Sequence, residues 1–332
     1  MNRAFQFFRL SIILLILSSL FSCAGDGSSG SSAPGILYVL DDVNDAVYAF
    51  NDIANLNGTL SPARTISGSN TLISNPTALA IDDARDILYV ADTTQGNILR
   101  FSPASTLSGD PAPLKKFPGV TTAGAMFYED ANDRLYVSDI TNNQIVVWDN
   151  MSTLPNGTSP TRTIPLGFTP GGFAVDTVRD LLYVGNPASS VEAVNVYNGA
   201  SSISSVTTVN PSRSITDSTQ SFKLLNSLSM NSPTNILYVA ESFYPSVEIF
   251  ANVSTLSNAQ AASRELQGSS TTINSNLKQI SYLRNFLYLI TNNTTFATWD
   301  NPNQVSGNTA PTRNATLSST SRIVSFDIDF AH

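Results

Sequence analysis

Four carboxylates recur in one register along this chain. Asp41, Asp92, Asp139 and Glu241 each stand three residues after the tyrosine of a Leu-Tyr pair, and Asn186 and Thr291 hold the same place in two further copies. Acidic oxygens gathered on one face are hard ligands, and Ca2+ is the cation such a set would hold. Recurrence points the other way, because an acid kept at the start of every turn serves by accepting hydrogen bonds from its own backbone. A second set is basic. Lys223, Lys278 and Arg322 each precede an apolar run, on a chain with 25 Asp+Glu against 17 Lys+Arg. Three bases in one sector of an acidic protein would attract a carboxylate or a lipid or sugar phosphate; taken singly they are ordinary solvated rim residues. The one histidine, His332, is the last residue of the sequence, and the one cysteine is Cys23. Histidine acid–base catalysis and histidine-ligated metals are therefore left close to excluded. Nothing reads as a phosphate-binding glycine loop or a nucleophile elbow.

The elements that must position these residues repeat with them. The Leu-Tyr tyrosines are Tyr38, Tyr89, Tyr136, Tyr183, Tyr238 and Tyr288, spaced 47 to 55 residues apart. A period near 50 made of short strands between Gly, Asn, Asp and Pro means units that bury their faces only against their neighbours. Two further columns keep step: an aromatic at Phe50, Phe101, Trp148, Tyr197, Phe250 and Trp299, and a base at Arg64, Lys115, Arg162, Arg213, Arg264 and Arg313. The tryptophans share their column with Phe and Tyr, so they are expected in the packing between units rather than as sugar platforms. The bases, most with a proline two residues before, are expected on an outer strand where Lys and Pro guard an edge, sharing one structural hydrogen bond. The fourth copy is irregular, with an insertion expected near residues 199–210. The first copy has no inner strand before Ile36, and Arg322-Ile323-Val324-Ser325-Phe326-Asp327-Ile328 is the strand that would supply it. The expected fold is all-β: a six-bladed β-propeller of four-stranded blades, closed by the C-terminal strand completing the N-terminal blade.

The segments ALAIDDARDILYVADTTQGNILRF at 78–101 and FYEDANDRLYVSDITNNQIVVWD at 127–149 resemble the NHL and YVTN-type propeller repeats, over about residues 35–332. The paired glycines of kelch blades and the Gly-His and Trp-Asp signature of WD repeats are missing. The resemblance implies that loops joining strands two and three, and strand four to the next blade's strand one, share the face on which a site is expected. These propellers host binders, scaffolds and hydrolases alike. A Ca2+-dependent lactonase or esterase with its site in the central channel is thus the enzyme alternative. In gluconolactonase-like relatives, Glu, Asn and Asp reach the metal from the mouths of the inner strands. Here those mouths read Asn75-Pro76, Ala123-Gly124, Pro170-Gly171-Gly172, Lys223-Leu224-Leu225, Asn276-Leu277-Lys278 and Arg322-Ile323, and none supplies a carboxylate. The expected function is non-catalytic binding or scaffolding.

The sequence also carries an address. Arg3 and Arg9 precede an apolar stretch from Leu10 to Leu20, too short for a comfortable membrane span. Leu20-Phe21-Ser22-Cys23 resembles the lipobox of bacterial lipoproteins, which implies cleavage before Cys23 and lipidation of its thiol. The expected organisation is a signal peptide over 1–22, the lipidated cysteine and a Gly/Ser tether over 23–35, and the propeller over 36–332. The tether AGDGSSGSSAPG at 24–35 behaves as a flexible coil spanning on the order of 20 Å. The resemblance implies an outer-membrane lipoprotein facing the periplasm or cell surface, with an envelope or surface protein or a glycan as partner. At net charge −8 the protein repels phosphate backbones, so nucleic acid is not an expected partner.

Overall fold

The computed structural model describes residues 35–187, 192–218 and 222–332. The leader, Cys23 and the tether up to residue 34 lie outside the described residues, and no helix among those described is long and apolar enough to cross a membrane.

Six antiparallel sheets follow one another along the chain, and the expected closure is present. Ile323–Asp329 pairs with Ile36–Asp41 from Ile36↔Asp329 to Asp41↔Ile323, so the last strand is the inner strand of the first blade. The sheet continues outward through Ala46–Asn51 to Arg64–Ile66. Every second strand is walled on both faces by neighbouring sheets. Runs such as Ile36–Asp41 and Ile236–Glu241 are therefore buried at every position instead of alternating. All six column tyrosines are at most 1% exposed. Trp148 and Trp299 are fully buried, and each donates Nε1–H across 3.0 Å to a carbonyl of its own blade, at Thr158 and Thr309 respectively.

The outer strands are protected differently from expectation. Each is covered by the following blade's loop between strands three and four. Asn258–Gln260 adds as a fifth, parallel strand to Arg213–Asp217, and Gly58–Leu60 adds likewise to Arg313–Leu317. Gly109 and Gly307 bridge to Ile66 and Leu266. Gly157 N–H donates to the Lys116 carbonyl at 2.8 Å, and Ser205 N–H to the Thr163 carbonyl at 2.9 Å. Covering an edge satisfies its free amides and carbonyls and removes a template for aggregation. The fourth-strand bases belong to this joint. Arg64 donates to the Ala104 and Ser105 carbonyls, Lys115 to Leu154, Arg162 to Ala200 and Ile203, Arg213 to Leu256, and Arg264 to Pro302 and Val305. Arg313 departs from the pattern: it pairs with Asp300 at 2.8 Å and lies over the Phe286 ring.

One column escaped the sequence reading. Three residues before the tyrosine, Asp86, Asp133, Asp180 and Asn235 take φ of 55°, 52°, 56° and 58°. Asp and Asn tolerate this left-handed region best among non-glycine residues. Each carboxyl or amide group then accepts the backbone N–H, and engages the hydroxyl, of a serine in its own blade: Ser105, Ser152, Ser201 and Ser254. The signal was present in Asp86-Ile87-Leu88-Tyr89 and Asp133-Arg134-Leu135-Tyr136.

Short polar side chains stitch the inner strands together around the axis. Ser227 and Ser229 accept the N–H of Ile280 and Tyr282, Gln279 exchanges two bonds with the Phe326 backbone, and Ser325 and Asp327 accept the N–H of Leu79 and Ile81. Between the fourth and fifth blades backbone does the same work. Gly172 N–H donates to the Leu225 carbonyl at 2.8 Å, and a Cβ on Gly172 would lie 2.4 Å from Ser227 Cα. Backbone cannot swing aside as a side chain does. Gly172→Ala is expected to destabilise the ring by about 3 kcal/mol, the upper end of the usual cost of overpacking. Urea denaturation checks this, and an unchanged midpoint would show that the two blades can part without cost. The irregularity of the fourth blade is split. Two of its extra residues fall in the loop 199–212, as expected, but two fall between Asn186 and Ala193, where residues 188–191 lie outside the described residues.

Candidate functional site

The face carrying the two–three turns holds both sets of residues singled out by sequence, and it uses them unequally. Each column carboxylate ties its own turn to the segment leading into the inner strand of the same sheet. Asp41 accepts from Val43 and Asn44 N–H at 2.9 and 3.0 Å and, through Oδ2, from Ser321 and Arg322 N–H. Asp92 accepts from Ser74, Asn75 and Gln95 N–H, and Asp139 from Thr121, Thr122 and Asn142. Glu241 accepts from Lys223, Leu224 and Phe243 N–H at 2.6 to 3.0 Å. All four side chains are at most 2% exposed. Among the described residues, the one set of three ligand atoms lying within 4.8 Å of one another is on Asp86, Asp329 and His332, so the column does not converge on a point. Asn186 is buried and engaged, and Thr291 is buried with its N–H donated to the Thr295 carbonyl.

The three bases stand where expected, at the starts of neighbouring inner strands. Lys223 pairs with Glu192 at 3.1 Å, and Arg322 grips Asp42 with two bonds of 2.7 and 2.6 Å. Lys278 lines the channel mouth without a carboxylate partner among the described residues. Two of the three charges are thus already balanced within the protein.

The channel between the inner strands encloses about 670 Å3. Met126, Phe127, Met230 and Tyr282 supply its apolar wall. Its far mouth, on the side of the one–two turns, carries Asp83, Asp130 and Thr177 from successive blades, and Arg284 stacks 4.4 Å over Phe330 there. Asp327 lies inside, between that mouth and the stitching serines. Burial raises its pKa to about 7 against two N–H bonds that lower it, with Asp83 and Asp329 adding repulsion. Partial desolvation and the charges of Asp83, Asp82 and Asp327 push the pKa of Asp130 upward, although its side chain stands exposed to water at the mouth. The sequence reading missed these three acids. Their signal was the doubled acid ending two inner strands, Asp82-Asp83 and Glu129-Asp130.

The surface of the two–three face has one apolar feature of note. Phe243 and Tyr244 occupy the fifth blade's turn, 57% and 43% exposed, with their rings edge to face at 4.9 Å. Leu224, 48% exposed, adjoins them, because its N–H and that of Phe243 both bind Glu241.

No family model matches this chain, and no curated protein matches it in sequence. Among solved structures it is similar to a chain of a crystallised nidogen/laminin complex, with a TM-score of 0.62 at 13% identity over 90% of this chain and 99% of that one. It is less similar to Kuenenia stuttgartiensis hydrazine synthase, with a TM-score of 0.48 at 13% identity over 68% of this chain and 56% of that one. A computationally designed protein, Ika8, gives 0.47 at 13% identity over 85% and 72%. The first of these likenesses establishes a shared propeller fold.

Proposed function

We propose that this chain is a non-catalytic recognition propeller, held at the outer membrane of a bacterium by a lipidated Cys23, which binds an envelope protein or glycan on its two–three face. The observation that carries the reading is the Phe243-Tyr244-Leu224 patch. Large apolar side chains on a turn, unsupported by a core, lose free energy to water unless something covers them, and aromatic patches rimmed by polar residues are typical of recognition surfaces. The column carboxylates of this face do not converge on one point among the described residues, which supports binding over Ca2+-dependent lactone hydrolysis. Lys278, without a carboxylate partner among the described residues, adds a positive charge at the channel mouth on the same face, suited to an acidic group on the partner.

The test has two arms. Purified protein is expected to co-sediment with bacterial envelope preparations, and a Phe243→Ala/Tyr244→Ala variant of unchanged melting temperature to lose at least tenfold in affinity, since each aromatic anchor carries roughly 1–2 kcal/mol. Labelled palmitate is expected in the wild type and absent from Cys23→Ala. Equal binding by the double variant removes the patch from the reading, and turnover of simple lactones would replace binding by hydrolysis.

A further inference from the structure

The fold brings the lone histidine between two carboxylates. His332 Nδ1 lies 3.1 and 3.3 Å from the Asp329 oxygens, and Asp86 joins them, so that one ligand atom from each residue falls within 4.8 Å of the other two. Repeat equivalence shows what is unusual here. The acid ending the inner strand is Asp82 in the second blade and Asp176 in the fourth, and each is neutralised three residues later by an arginine, Arg85 or Arg179, at 3.1 Å. In the closing strand Asp329 holds that place, and the residue three later is His332. An imidazole, a metal ligand, stands where the second and fourth blades have a guanidinium, which binds no metal.

The charges around this seam are unequal. Tyr38 is fully buried beside the seam and feels the positive charge of Arg64 and the negative charges of Asp329 and Asp86. Arg64 brings one positive charge to this seam but gives Nη1 to the Ala104 and Ser105 carbonyls. Two carboxylates thus face one guanidinium. Both are already oriented from behind, as metal ligands are: Asp86 by Ser105 N–H and Oγ at 2.7 and 2.6 Å, and Asp329 by Ala331 N–H at 2.8 Å.

We propose that Asp86, Asp329 and His332 form a divalent transition-metal site at the seam between the first and second blades, with zinc the ion its donors suit. An imidazole with two carboxylates favours zinc over the all-oxygen cations. Tetrahedral ligands at about 2.0–2.1 Å lie roughly 3.3 Å apart, close to the observed Nδ1 to carboxylate spacing. Three protein ligands leave a fourth position for water. The metal would clamp the closing strand to the second blade.

The test is titration of chelator-treated protein with ZnCl2 by calorimetry, alongside thermal melting with and without the ion. The wild type is expected to bind one equivalent and to melt higher when loaded, with Co2+ taking the same site and showing the visible absorption of tetrahedral coordination. His332→Ala and Asp86→Asn are expected to weaken binding at least tenfold. His332→Arg, which rebuilds the pairing of the second and fourth blades, is expected to keep the fold and lose zinc. Wild-type protein without saturable binding, or His332→Arg binding as tightly as wild type, overturns the site.

Discussion

A chain lacking Ser321 to His332 is expected to lose its cooperative thermal transition altogether. The segment is the inner strand of the first blade, and its Ile323, Phe326, Ile328 and Phe330 are all at most 8% exposed. They serve two blades at once: Phe326 meets the Phe296 ring of the sixth blade edge to face at 5.1 Å, while Ser325 and Asp327 accept N–H bonds from the second. Four large apolar side chains at about 2–3 kcal/mol each amount to roughly the whole stability of an ordinary domain. The deletion also bares the Ile36–Asp41 edge, so the product is expected to aggregate. Phe326→Ala is the graded form of the experiment, expected to cost about 3–5 kcal/mol. Circular dichroism melts check both, and a truncated chain that melts like the intact one would refute ring closure as the source of stability.

The second large effect is on pH dependence. Glu248 is 3% exposed on the third strand of the fifth blade, and its Oε2 has no hydrogen-bond partner. Burial raises its pKa to about 8, and the charges of Asp217, Glu265 and Glu241 push the same way. The sign follows from linkage. Below the ordinary carboxyl pKa the group is protonated whether the chain is folded or not, and its full contribution to stability is present. As pH rises toward about 8 the unfolded chain releases the proton while the folded one retains it, so stability falls across that window and levels off above it. A shift of this size corresponds to a few kcal/mol. Asp327, raised to about 7, acts in the same direction. Glu248→Gln keeps the shape without the titration. Urea midpoints are expected to converge for the two proteins near pH 4 and to favour the variant increasingly up to about pH 9. Parallel profiles would mean that water reaches Glu248.

Much of the architecture was legible in one dimension. The tyrosine column fixes the number of blades because each second strand sits between two others, and only an apolar strand of constant length fits there. Closure was legible too, since a first copy without an inner strand and a last strand without a copy have one economical solution. The placement of the column acids at turn starts was readable, and so was the grouping of Lys223, Lys278 and Arg322 on neighbouring strands. Their chemistry was not. Whether Asp41 is free to hold a cation depends on Ser321 and Arg322, 280 and 281 positions away. Whether Lys223 and Arg322 are free depends on Glu192 and Asp42.

What sequence alone determined about this protein is a six-fold repeat of four-stranded units, its order and its circular connection, because periodic burial leaves a periodic trace. What only the tertiary structure decided is which polar groups meet. The outer edges are covered by loops of the next blade, the channel acids Asp83, Asp130 and Asp327 come from three different blades, and His332 reaches Asp86 across a seam. Side-chain partners across a ring are set by the angle between sheets and by exchange of hydrogen bonds over hundreds of residues, and neither quantity has a period along the chain.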